Sequence, residues 1–146
     1  MRVTFAKRYD KRAYCTWEAR LGKRRRVPGS LMPLPKSGLP HDVAQYVIEA
    51  ATGYQHGFWG CIADGATFKS TGRKRTKPGR AVIAEHRAEV VASEHLANHQ
   101  LFAWKCGEKS IVSEALDRAT AQWSQLRAGE HLVFVWPSPT GQVEAA

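Results

Sequence analysis

The feature that most constrains the fold is a two-residue alternation of apolar and polar side chains in residues 2–9 and again in residues 13–20. Successive side chains of a β-strand point to opposite faces, so this pattern is typical of strands with one buried face. Residues 10–12 and 21–23 suit turns, and residues 24–27 suit a third strand. We therefore predict an antiparallel hairpin or meander in this part of the chain.

Further along the chain the period changes to that of an amphipathic helix. Apolar residues recur every three to four positions in 41–52, 81–101 and 110–126, which indicates helices with one buried face. The apolar run 132–136 has the length of a buried strand and should join the N-terminal sheet. The predicted fold class is α+β, a short antiparallel sheet packed against about three helices. Residues 61–68 fit a short helix or a strand equally well.

The chain of 146 residues has the size of one domain, so we predict a single domain over 1–146. Within it, residues 28–40 are rich in proline and glycine and should connect sheet to helix. Residues 69–80 have few apolar side chains and are predicted to be a basic loop. Residues 137–146 are predicted to form a loose tail.

Three cysteines, Cys15, Cys61 and Cys106, cannot all pair within one chain. This number favours reduced thiols, and with them a cytoplasmic protein. No apolar stretch is long enough to cross a bilayer, and residues 1–8 lack the apolar region of a secretory signal. No membrane partner is expected.

Positive charge is concentrated in two short segments. Residues 1–36 contain eleven lysines and arginines and two acids, and residues 69–80 contain six and none. The remaining two stretches, 37–68 and 81–146, each carry a net charge of −3. Clustered cations of this kind attract polyanions, because binding releases the counterions condensed on phosphates.

The leading functional hypothesis is therefore a small basic accessory protein that binds a polyanion, with DNA or RNA as the expected partner. Tyr9, Tyr14 and Trp17 on the adjoining hairpin would stack on bases if they are exposed. The simpler interpretation is that the basic stretches are only solvated. The candidate binding residues are Arg24, Arg25, Arg26, Arg73, Lys74, Arg75, Lys77 and Arg80.

The segments Leu39-Pro40-His41-Asp42, Tyr46-Val47-Ile48-Glu49 and Gly57-Phe58-Trp59-Gly60 together resemble a set of small, uncharacterised bacterial proteins. The resemblance implies a shared fold and no activity. Its members often carry a second histidine where this chain has Gln45, a departure that weakens a metal-site interpretation.

An enzymatic alternative uses His41, Asp42 and Glu49, which would share one face of a helix and offer an imidazole with two carboxylates. A pocket in which His41 and Asp42 meet a residue such as His86 would favour it. The simpler interpretation is that Asp42 caps the helix, in a capping box with Gln45, and that Glu49 is solvated.

Two other residue patterns have weaker chemical interpretations. His95 and His99, one helical turn apart, have the spacing of zinc ligands but lack the other residues of a zinc motif. Cys61 lies in an acidic, apolar third of the chain, where a buried thiol is expected rather than a nucleophile. We therefore predict no metal and no cofactor.

A third class of function is a non-catalytic protein-interaction or regulatory module, including a homodimer. The glycine-flanked pair Phe58 and Trp59 is its candidate ligand or interface surface. The alternative is a tight turn that buries both rings. Salt-sensitive binding of nucleic acid would favour the first class, and a stable partner insensitive to salt would favour this one.

Overall fold

The computed structural model describes residues 1–10, 12–36, 38–71 and 74–145. Its first two strands are β1 (Arg2–Tyr9) and β2 (Ala13–Leu21). They pair antiparallel with Phe5 opposite Trp17, so the alternating apolar residues face one side. The predicted hairpin is confirmed.

Four further strands complete the sheet: β3 (Arg25–Pro28), β4 (Met32–Pro33), β5 (Glu130–Val135) and β6 (Gln142–Ala145). Among the described residues the order is β3-β2-β1-β5-β6, with β4 also paired to β2. Every pairing is antiparallel. The C-terminal strand β5 joins β1 as predicted, with Val3 opposite Phe134.

The described residues form five α-helices and one short 3-10 helix at Lys69–Thr71. The α-helices are α1 (His41–Ala51), α2 (Phe58–Ala63), α3 (Lys77–Glu85), α4 (Arg87–Lys105) and α5 (Ser113–Ser124). Contacts join α1 to both α4 and α5. The fold is α+β, and none of the described helices is both long and apolar enough to traverse a bilayer.

The core lies between one face of the sheet and the helices, and aromatic rings dominate it. Trp59 is completely buried and makes edge contacts with Phe5, Trp17 and Tyr46, at ring-centroid distances of 5.6, 4.7 and 5.4 Å. Edge-to-face geometry places the positive rim of one ring against the negative face of another. This cluster joins the hairpin to α1 and α2.

Two helix predictions need correction, one at the start of a helix and one in its interior. Asp42 is not the cap of α1, because Pro40 holds the N-cap position and Asp42 lies in the first turn. The predicted helix 81–101 is two helices that meet at His86.

The basic stretch 69–80 is not entirely loop, because α3 begins at Lys77. The Thr76 hydroxyl accepts a hydrogen bond from the Gly79 amide, and proline occupies the first turn. Both features stabilise a helix start.

The predicted loose tail also contains an ordered strand. Residues of β6 pair with β5, with Val143 opposite Leu132. Gly141 is packed so closely against Phe134 that an added Cβ would lie 2.8 Å from the ring. The Gln122 side chain donates to the Gly141 carbonyl at 2.9 Å, so the tail is held from two sides.

Candidate nucleic-acid interface

The two basic segments of the sequence meet at one groove, which we call the basic groove. It has a volume of about 720 Å³ and runs between β3 and the chain that leads into α3. The residues that line it are Arg24, Arg25, Arg26, Val27, Gly65, Ala66, Thr67, Thr71, Lys74, Thr76 and Pro78.

Hydrogen bonds hold the two sides of the basic groove together. The Arg25 guanidinium donates to the Gly65 carbonyl at 3.0 Å, and the Ser30 hydroxyl donates to the Ser70 carbonyl. Both bonds join residues 40 positions apart in the chain. Arg25 therefore acts as a structural tie in addition to contributing charge.

The second side of the groove is built around Thr67 and the start of α3. The Thr76 amide donates to the Thr67 hydroxyl oxygen at 3.1 Å. Gly79 packs against the same threonine, where an added Cβ would lie 2.3 Å from its hydroxyl oxygen. Only glycine allows this approach, so the sequence Thr76-Lys77-Pro78-Gly79 fixes the wall of the groove.

Polar groups on the groove wall remain able to donate to an anion. The hydroxyl oxygens of Thr67 and Thr76 both accept backbone N–H groups, so their own O–H protons are available. The first turn of α3 contains no acidic residue, and the partial positive charge of a helix N-terminus therefore adds to the field.

No carboxylate is among the groove-lining residues within the part of the chain that the structure describes. Arg24, Arg26 and Lys74 are all exposed at its surface. Their charges are therefore not neutralised inside the groove.

The uncovered face of the sheet offers a contrasting basic surface. It contains a shallow groove of about 350 Å³, lined in part by Arg2, Arg8 and Arg20. Here Arg2 pairs with Glu144, and the Arg20 guanidinium lies 3.3 Å from the Glu18 carboxylate. Two of these cations are thus already matched by acids, which makes this face a weaker site for an anion.

Four of the predicted binding residues line the basic groove: Arg24, Arg25, Arg26 and Lys74. Arg75, Lys77 and Arg80 are exposed on the same segment but do not line it. Arg73 lies outside the described residues. The sequence prediction missed the three threonines that line the groove, Thr67, Thr71 and Thr76. They can be recognised only once the fold places them beside the cations.

The aromatic residues proposed for base stacking are not at the groove. Trp17 is only 5% exposed and belongs to the core, so it cannot stack on a base. Tyr14 donates its hydroxyl proton to Asp10, and Tyr9 is exposed at the end of β1. None of these three aromatic residues is among the residues that line the groove.

The enzymatic candidates do not converge. His41 is exposed at the start of α1, and Asp42, 3.8 Å away, raises the pKa of the imidazole. Glu49 is completely buried, not solvated. It accepts hydrogen bonds from the Gln45 side chain at 3.0 Å and the Trp59 amide at 3.1 Å. Burial nevertheless raises the pKa of Glu49 to about 7.

The two candidate interface residues differ in their burial. Trp59 is inside the core, so it has no surface to offer a partner, whereas Phe58 is half-buried.

Burial raises the pKa of the Cys15 and Cys61 thiols to about 12. A thiol of this kind is protonated at neutral pH and is a poor nucleophile.

His86 does not meet His41, and its ring stacks on that of His56 with centroids 3.8 Å apart. Glu89 lies beside both rings, an arrangement that the sequence prediction missed. His86 and Glu89 are three positions apart, a spacing that brings side chains together on a helix, and this was the only part of the arrangement with a local signal.

No family model, curated protein or solved structure matches this chain.

Proposed function

We propose that this protein binds polyanions, with nucleic acid as the ligand, and that the basic groove is the contact surface. One observation carries the proposal: cations from both basic segments of the sequence, Arg24 to Arg26 and Lys74, line a single groove. The lack of a carboxylate among the described lining residues supports it further.

Each part of the groove has a physical role in this proposal. The guanidinium groups of Arg24 and Arg26 match phosphate oxygens with paired N–H donors, and Lys74 contributes a compact charge. The hydroxyls of Thr67 and Thr76 add short-range hydrogen bonds. Binding releases counterions from the nucleic acid, so affinity should fall steeply as salt rises.

The same geometry favours binding without sequence preference. Phosphate contacts position a nucleic acid but carry no direct information on sequence. Trp17 is buried and Tyr9 lies at the end of β1, and no aromatic residue is among the described residues that line the groove. We therefore expect similar affinity for oligonucleotides of different sequence and equal length.

The proposal is tested by fluorescence anisotropy with labelled oligonucleotides at low salt. The triple variant Arg24→Ala, Arg26→Ala, Lys74→Ala removes three groove charges and keeps the structural tie made by Arg25. We expect affinity to fall by at least about tenfold, and the slope of log affinity against log salt to decrease by about 3.

The matched control is the triple variant Lys105→Ala, Lys109→Ala, Arg127→Ala. It removes the same charge from exposed positions outside the groove. Its affinity should stay within about threefold of the original, because these residues do not line the groove and would make no direct contact with a phosphate bound there. Equal losses in the two variants would indicate a non-local effect of net charge, and no binding by the unmodified protein would end the proposal.

A further inference from the structure

We propose a zinc-binding site formed by His56, His86 and Glu89. One ligand atom from each residue lies within 4.8 Å of the other two. Two imidazoles and a carboxylate are a known ligand set for zinc, in which a water molecule completes the tetrahedron. This site is independent of the basic groove.

Two parts of the fold bring the ligands together: the turn before α2 and the start of α4. His56 lies in the turn before α2, His86 at the junction of α3 and α4, and Glu89 in the first turn of α4. The break between α3 and α4 thus places His86 opposite His56. The sequence analysis expected one continuous helix over 81–101 and so did not predict this placement.

The distances suit a metal ion. Nδ1 of His56 lies 3.3 Å from Glu89 Oε2, and Nδ1 of His86 lies 3.3 Å from Glu89 Oε1. Four ligands at about 2.05 Å from a zinc ion in tetrahedral geometry are separated by about 3.3 Å. Each nitrogen–oxygen separation is close to this edge length, and a different oxygen of Glu89 faces each ring.

Additional carboxylates lie behind the two rings. Nε2 of His56 is 3.5 Å from Asp64 Oδ2, and Nε2 of His86 is 4.0 Å from Glu85 Oε1. Zinc-bound histidines usually donate their second N–H to a carboxylate, which fixes the tautomer. When zinc binds through Nδ1, each neutral ring keeps its proton on Nε2. Asp64 is close enough to accept this proton from His56, whereas Glu85, at 4.0 Å, is too far from His86 to form a hydrogen bond.

Metal binding requires one movement. The two rings are parallel, with an interplanar angle of 2°, and parallel stacked rings cannot both direct a lone pair at one ion. One ring must rotate about its Cβ–Cγ bond, a torsion that is broad in histidine. His56 and His86 are both partly exposed, which leaves room for this rotation and for entry of the ion.

Isothermal titration of the chelator-treated full chain with Zn²⁺ tests the proposal. We expect one zinc per chain, with affinity reduced at least about 100-fold by His86→Ala and about 10-fold by Asp64→Asn, which removes only an outer carboxylate. The matched control is the double variant His95→Ala, His99→Ala, which removes two exposed histidines of α4.

The control variant should bind zinc like the unmodified protein, and circular dichroism should show that each variant is folded. Three results would overturn the proposal: no stoichiometric binding, binding unchanged by His86→Ala in a folded protein, or binding lost in the control. The last result would move the site to the exposed face of α4.

Discussion

Replacement of Trp59 by alanine is expected to lower the free energy of unfolding by about 3–5 kcal/mol, the range for deleting a large buried aromatic ring. Trp59 has no exposed surface. Its ring contacts Phe5, Trp17 and Tyr46, which belong to three different elements. The neighbouring rings cannot all move to fill the space, so the variant keeps a cavity at the centre of the fold.

Urea denaturation followed by far-ultraviolet circular dichroism measures this loss. The control is Phe102→Ala, which deletes an aromatic ring that is 70% exposed on α4 and should change stability by less than about 0.5 kcal/mol. Failure of the Trp59 variant to fold is the extreme form of the expected result. A loss below about 1 kcal/mol would show that Trp59 is not at the centre of the core.

The second large effect concerns the buried carboxyl of Glu49. Its pKa is raised from 4.5 to about 7 because burial penalises the charged form. Between these two values the folded protein binds a proton that the unfolded chain releases, so the contribution of Glu49 to stability falls as pH rises. The total loss is about 3 kcal/mol once the pH exceeds 7.

Glu49→Gln should remove this dependence, because an amide does not ionise in this range. It can still accept from the Trp59 amide, and the Gln45 side chain can turn to pair with it. We expect the variant to resemble the unmodified protein near pH 5 and to be more stable by about 2–3 kcal/mol at pH 8.

Urea midpoints at both pH values test this expectation, with Glu108→Gln as the control at an exposed position after α4. The control should follow the pH dependence of the unmodified protein. A Glu49→Gln variant that is less stable at pH 8 would show that the ionised carboxylate stabilises the fold. That result would reopen a chemical role for Glu49.

Local sequence patterns predicted the parts of the fold that depend on local physics. Alternation located β1 and β2, and the helical period located α1. By contrast, β6 depends on pairing with β5 and on the contact of Gly141 with Phe134. No local signal in residues 137–146 reports either interaction.

The same distinction applies to the candidate site. Composition identified the cations, because charge is a property of each residue. Their meeting depends on the hydrogen bond from Arg25 to Gly65 and on the packing of Gly79 against Thr67. These are tertiary contacts between distant positions, which a period or a charge count cannot reveal. The juxtaposition of His56 and His86 was missed for the same reason.

The most direct measurement is a titration of the isotopically labelled protein with a single-stranded oligonucleotide, followed through backbone amide chemical shifts. If nucleic acid occupies the basic groove, shifts will concentrate in residues 24–27, 65–71 and 74–79 and will reverse when salt is added. Shifts confined to the uncovered sheet face around Arg8 and Arg20, or no shifts at low salt, would contradict this assignment.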